Sequence, residues 1–209
     1  TEHIFLLFDT LSAYKEVTYH AIQEMLGNKG QVDIFFHHFN MNVFEQLIKE
    51  HVGKYTSYVV LPFEDENITE PLNLIPDEKL YLLDRCPKNY KKNYCGVYQD
   101  FESDVYHTLL STKQNFQKYS NFTLIFRNIL TIPPQEIVSG FKHFCHEQQI
   151  PHEVNYTPFK GKLKKGDSFL VIDDEDLVNI VLCANKNGLT IGKDIGIISY
   201  NDTPLKKVV

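Results

Sequence analysis

Short apolar runs, each long enough for one buried strand, alternate along this sequence with stretches whose apolar residues recur at helical spacing. The runs are His3–Phe8, Val32–Phe36, Ser57–Leu61, Leu80–Leu83 and Tyr94–Tyr98, then Phe122–Phe126, His152–Tyr156, Ser168–Ile172 and Ile195–Tyr200. Between them lie Val17, Ala21 and Met25; Phe44, Leu47 and Ile48; Val105, Leu109 and Phe116; Ile137, Phe141 and Phe144; and the segment Asp174–Asn187. Strand and helix patterns in alternation imply right-handed βαβ units and a parallel sheet. Punctuation agrees with the pattern. Gly27 and Gly30 end the first helix, Gly53 the second and Gly188 the last, Pro62 stops the third strand, and Pro133-Pro134 fits only at a helix start. The series restarts near Tyr119–Asn121, so two similar α/β lobes are expected to meet near Asp100–Ser103. The expected divisions are 1–101, 102–201 and a final segment 202–209.

Length and composition limit what such a chain does. At 209 residues, 43% hydrophobic and 23% charged, it is ordinary globular material for one large or two small domains. A net charge of -6 suits it poorly to gripping nucleic acid by itself. No apolar run approaches the roughly 20 residues of a membrane helix. The four cysteines, Cys86, Cys95, Cys145 and Cys183, lack CxxC spacing and read as reduced thiols of a cytoplasmic protein, with a Cys86–Cys95 bridge as the lesser alternative. His37-His38 point to opposite faces of a strand, and in His143-x-Cys145-His146 the cysteine points away from the histidines, so no metal site is expected. No GxSxG, HExxH, P-loop or GxGxxG is present, and no cofactor or enzymatic activity is expected.

In open α/β sheets ligands bind beyond the carboxyl ends of the strands, so polar residues at those ends carry the functional reading. Asp84-Arg85 ends one strand. Arginine's five-donor fork beside a carboxylate can bracket sugar hydroxyls, or the two form a surface ion pair. Asp100 stands at a strand-to-helix junction, either as a helix N-cap or as a ligand contact. Asp173-Asp174-Glu175-Asp176 is either an acidic first turn favoured by the helix dipole or the source of one ligand-facing carboxylate. Asn201 and Asp202 lie where the last strand ends.

From Asn185 to Pro204, a helix end, Gly192-Lys193-Asp194, the apolar strand and Ser199-Tyr200-Asn201-Asp202 follow in order. This order resembles the sugar-binding fold of LacI-type repressors and ribose-type periplasmic binding proteins. There the helix is followed by Gly…Pro-x-Asp, a strand and Gly-Phe-Asp. Here Gly192 replaces the usual Pro. Leu82-Leu83-Asp84-Arg85 is similar to the family's strand-Asp-Arg, and Val97-Tyr98-Gln99-Asp100 to its Val-x-x-Asp. Asp174, fourteen positions before Gly188, stands where the family has Asp-x-x-Ala. Phe8-Asp9-Thr10-Leu11-Ser12 and Ile198–Lys206 look like GntR-type regulators that carry a LacI-type sensing domain.

The resemblance implies a type-I periplasmic-binding-protein-like fold with a sugar-sized ligand between two lobes that close on it. It places Asp9, Ser12 and Tyr14 in a first loop that contacts the sugar, with Tyr14 stacking on it or lidding the core. It adds Asp84, Arg85, Asp100 and Asp174, and suggests that Arg127 or Glu136 replaces an arginine the family often carries where this chain has Ile137. The implied function is the effector domain of a transcriptional regulator, homodimeric and cytoplasmic, sensing a neutral pentose, hexose or deoxyhexose. DNA would be reached only through a domain preceding Thr1. The alternatives are a transporter's solute-binding protein and, least favoured, an enzyme of doubly wound fold. With four strands counted in the first lobe, one sheet edge would need cover. The resemblance likewise implies that 202–209 begins a return toward the first lobe and that the chain continues past Val209, with Leu205–Val209 opening a helix and Pro204 in its first turn.

Overall fold

The computed structural model describes all residues except 66, 88, 89, 91, 92, 128–133, 203–205 and 207–209. The loop lysines Lys88, Lys91 and Lys92, together with Pro133, Pro204 and most of the expected terminal helix, thus lie outside the described residues. The chain forms two compact units, Thr1–Gln99 and Asp100–Val209.

Unit 1 contains strand β1 (Glu2–Phe8), helix α1 (Ala13–Leu26), β2 (Gly30–Phe36), α2 (Met41–His51), β3 (Ser57–Val60), the short helix α3 (Thr69–Leu72), β4 (Leu80–Asp84) and β5 (Cys95–Tyr98). The sheet is parallel throughout, in the order β2-β1-β3-β4-β5. It has five strands rather than four, because Cys95–Tyr98 pairs with β4 through Leu82↔Gly96 and Leu83↔Val97. Alternate residues of β1 serve opposite faces. Phe5 and Leu7 join Phe44 and Ile48 of α2, while Leu6 and Phe8 meet Tyr19 and Ile22 of α1. A strand covered on both faces reads as a continuous apolar run, which is why His3–Phe8 is so conspicuous. In α1 the helix is where the spacing puts it, but its packed face is different. Val17 and Met25 are exposed, and Tyr19 and Ile22 face the sheet.

Unit 2 contains α4 (Phe101–Ser111), β6 (Asn121–Ile125), α5 (Gln135–Glu147), β7 (His152–Asn155), β8 (Asp167–Val171), α6 (Asp174–Lys186) and β9 (Gly196–Ser199). Its parallel order, β7-β6-β8-β9, repeats the plan of unit 1. Phe101, Val105 and Leu109 of α4 pack with Ile137, Phe141 and Phe144 of α5 on one face. Leu177, Ile180 and Ala184 of α6 cover the other. Phe116 is buried in the first of these cores, although α4 has ended before it.

The α4–α5 contact depends on Gly140, where an added Cβ would lie 2.3 Å from the Glu102 carbonyl oxygen. That neighbour is backbone and can yield only if the helices separate. Alanine would gain about 1 kcal/mol of helix propensity over glycine, while overpacking costs about 1–3 kcal/mol. Gly140→Ala is expected to lose about 1 kcal/mol net and Gly140→Val clearly more, measured by urea unfolding followed by circular dichroism. An unchanged midpoint for the valine variant would contradict the close approach.

Candidate functional site

Both sheets reverse their strand order beside the first strand of the unit, between β1 and β3 and between β6 and β8. Ligand sites of open α/β sheets form at the carboxyl ends of strands near such reversals. These ends carry the polar side chains singled out in the sequence.

In unit 1, β4 ends at Asp84, held at φ 66°, a left-handed conformation uncommon for a residue with a side chain. Its Oδ1 accepts the Tyr14 hydroxyl at 3.1 Å and the Gln99 amide at 3.2 Å, and the same amide reaches the Tyr14 oxygen at 3.3 Å. Tyr14 comes from the first turn of α1 and Gln99 from just beyond β5, so three connections meet on one carboxylate. Burial, with the Asp84 charge behind it, raises the Tyr14 pKa, which keeps its hydroxyl a donor. Arg85 pairs with Glu64 at 3.3 Å.

Nearby strand ends are tied by His37, fully buried after β2. Its Nδ1 accepts the Phe39 N–H at 3.2 Å, which places the ring proton on Nε2, donating to the Leu61 carbonyl at 3.1 Å. His38 and Phe39 follow with φ of 51° and 56°. The imidazole stacks on Phe63 with ring centres 4.8 Å apart, and burial pushes its pKa down to about 4. Beyond β1, Asp9 holds the buried ammonium of Lys15 and the backbone N–H of Thr10.

In unit 2, Arg127 follows β6 and is enclosed by carboxylates. Its Nε lies 2.6 Å from Asp176, and its Nη1 lies 3.0 Å from Glu175 and 3.6 Å from Asp173. Asp176, fully buried, also accepts the Phe159 N–H at 2.7 Å. Asp173 caps α6 by accepting the Glu175 N–H. Asp174 lies 3.1 Å from the ammonium of Lys206, which donates as well to the Tyr200 and Asn201 carbonyls. Asn201 has φ 60° and is exposed, as is Asp202. An open concavity of about 520 Å³ lies beside this network, lined by Arg127, Phe159, Lys160, Glu175, Asn179 and Cys183 among others.

Of the residues read from the sequence, the structure brings Tyr14 and Asp84 into direct contact. Ser12 caps α1, accepting the Lys15 N–H at 3.4 Å, and Asp100 caps α4, accepting that of Ser103 at 3.2 Å. Arg127 spends its guanidinium on neighbouring carboxylates. Sequence reasoning missed Gln99, Lys15, His37, Asp176 and Lys206 as parts of these networks. Gln99 sits inside the quoted Val-Tyr-Gln-Asp, at the next strand end after Asp84, and that placement was the available clue.

All four cysteines are free thiols. Among the described residues no three His, Cys, Asp or Glu side chains gather as a metal site, and no helix is long and apolar enough to cross a membrane.

No family model matches the chain. Among curated proteins, the HTH-type transcriptional regulator GalR of Streptococcus thermophilus is 27% identical over 133 residues, 54% of this chain and 40% of that protein. The match thus spans well under half of that relative's length. Solved structures align over almost the whole chain. The Escherichia coli transcriptional repressor ascG matches with a TM-score of 0.73 and 10% identity, covering 100% of this chain and 82% of that one. A LacI family transcriptional regulator from Lactobacillus casei with bound sucrose gives 0.75 and 14% over 98% and 81%. A LacI family regulator from Arthrobacter sp. FB24 in complex with lactose gives 0.75 and 9% over 100% and 81%. The fold, two parallel-sheet α/β lobes of periplasmic-binding-protein-like type, is the one found in these LacI-family regulators.

Proposed function

We propose that this chain is the effector-binding part of a LacI-type transcriptional regulator of the GntR-headed kind and that its effector is a small neutral sugar. The observation that carries the reading is the Tyr14–Asp84–Gln99 cluster at the carboxyl ends of β4 and β5, in a fold whose relatives include regulators with sucrose or lactose bound. A half-buried tyrosine beside hydrogen-bonding groups suits a sugar, whose C–H face packs on an aromatic ring while its hydroxyls find polar partners. In unit 2, Asp174, Asn201 and Asp202 are the groups we assign to the ligand. Arg127 acts through Asp173–Asp176, whose helix start it fixes. Ser12 and Asp100 shape the loops they cap, and Asp9 anchors Lys15. On this reading the protein is a cytoplasmic homodimer, it binds rather than transforms its sugar, and contact with DNA belongs to another segment of the regulator.

Binding to the native state alone stabilises it by RT ln(1 + [L]/Kd), about 2.7 kcal/mol at a hundredfold excess over Kd. At millimolar concentration at least one of a panel of neutral pentoses, hexoses and deoxyhexoses is expected to raise Tm by several degrees. A panel in which sugars shift nothing while nucleotides or amino acids do would overturn the assignment.

A further inference from the structure

The polarity of the hydrogen bonds around Asp84 restricts which sugars this site takes. A carboxylate only accepts, so Gln99 must turn its NH2, and not its carbonyl, toward Oδ1, 3.2 Å away. The Tyr14 hydroxyl spends its single proton on the same oxygen at 3.1 Å. With those bonds made, Asp84 Oδ2 and Gln99 Oε1 take no protein donor among the described residues. Both are acceptors, on side chains that remain partly exposed. The adjacent cation, Arg85, pairs with Glu64, and Lys15 with Asp9. The left-handed backbone of Asp84 is the kind of local strain that persists where the surroundings hold a residue for a purpose. Here the Gln99 N–H donates to the Asp84 carbonyl at 3.3 Å, so the two residues are joined through backbone as well as side chains.

We infer that Tyr14, Asp84 and Gln99 form an acceptor-only clamp that takes an uncharged polyol through its hydroxyl protons and excludes acidic and phosphorylated sugars, with Gln99 as the specificity-determining residue. The inference rests on the sugar-binding reading above and narrows it. A hydroxyl can donate to Oδ2 or Oε1. A sugar carboxylate or phosphate dianion brings no proton to that position and adds like-charge repulsion from Asp84.

Calorimetric titration of the whole chain with matched pairs tests this: D-galactose against D-galacturonate, D-glucose against D-glucose 6-phosphate, and D-ribose against D-ribose 5-phosphate. For any sugar that binds, the anionic counterpart is expected to bind about tenfold more weakly or worse, each tenfold being 1.4 kcal/mol. Gln99→Leu, which removes the acceptor at similar size, should weaken the neutral sugar about tenfold or more. Gln99→Lys, which replaces it by a donor cation, should narrow the preference for neutral over anionic sugar; a merely structural role for Gln99 would not change that ratio. Equal affinity for a matched pair, or a ratio unchanged in Gln99→Lys, overturns the clamp while leaving sugar binding intact. Binding of none of these sugars overturns the reading beneath it, and the clamp falls with it.

Discussion

Asp176→Ala is expected to cost unit 2 about 3–5 kcal/mol of stability, the usual penalty for removing one partner of a buried ion pair. Asp176 has a side-chain exposure of 1% and Arg127 of 12%. The carboxylate lies 2.6 Å from Arg127 Nε and accepts Arg127 Nη2 at 3.2 Å and the Phe159 N–H at 2.7 Å, so its loss strands a guanidinium and a backbone donor together. Glu175 and Asp173 would still face the cation, but both lie at the solvent side, where a pair contributes roughly 0–1 kcal/mol. Asp176→Asn keeps an acceptor for Phe159 and is expected to lose less than the alanine variant. Arg127→Met combined with Asp176→Leu removes both charges and should recover most of the loss, because a buried pair replaced by apolar side chains is often close to neutral. The chain has no tryptophan, so urea unfolding followed by circular dichroism is the suitable measurement. A loss under about 1 kcal/mol for Asp176→Ala would show the network to be solvated.

The second large effect is on pH. The native state holds His37 neutral, with a pKa near 4 set by burial, while the unfolded chain titrates it near 6.5. Between those values the unfolded state takes up a proton that the native state refuses, so stability rises with pH there. His37 therefore contributes no penalty above about pH 6.5. As pH falls to 4 unit 1 is expected to lose up to about 3 kcal/mol through this one ring. A proton added at Nδ1 would meet the Phe39 N–H head-on in a site shared with Phe44 and Phe63. Of the charged neighbours, Asp9 opposes the shift, and Lys15 and His38 reinforce it. Asp33, whose carboxyl is held below its usual range mainly by the Gln31 amide, loses its contribution only at lower pH, outside this window. His37→Gln can still donate to Leu61 and does not titrate, so its stability should change less between pH 6.5 and 4. Equal slopes for the two proteins would rule out a buried neutral imidazole.

The topology was legible because strand and helix periodicity are local properties. A β1 buried on both faces, or an α2 with Phe44 and Ile48 on one side, announces itself within a few residues. Which face of α1 packs was not legible: Val17 and Met25 have the right spacing, but Tyr19 and Ile22 lie nearer the sheet. Sequence likewise could not show that Lys15 folds back, buried, onto Asp9. Strand-end position pointed to Asp84 and the family resemblance to Tyr14; that the two touch is visible only in the structure. Joining them to Gln99 required the strand run Tyr94–Tyr98 to be placed beside β4, a pairing that periodicity does not give. The cap roles of Ser12 and Asp100 were foreseeable from their positions at helix starts. The burial of Asp176 was not, since the run Asp173–Asp176 looks uniformly solvent-facing until Arg127 is brought over it from the end of β6.

On the proposed function, the strand ends of this chain bind a neutral sugar through Asp84. Isothermal titration of the wild-type chain and of Asp84→Asn with the neutral sugar giving the largest thermal shift tests it directly. Saturable binding of one sugar per chain is expected, weakened by about 1.5–3 kcal/mol in Asp84→Asn, whose thermal stability without sugar stays near that of the wild type. Undiminished affinity in the variant, or no heat of binding from any neutral sugar, would contradict it.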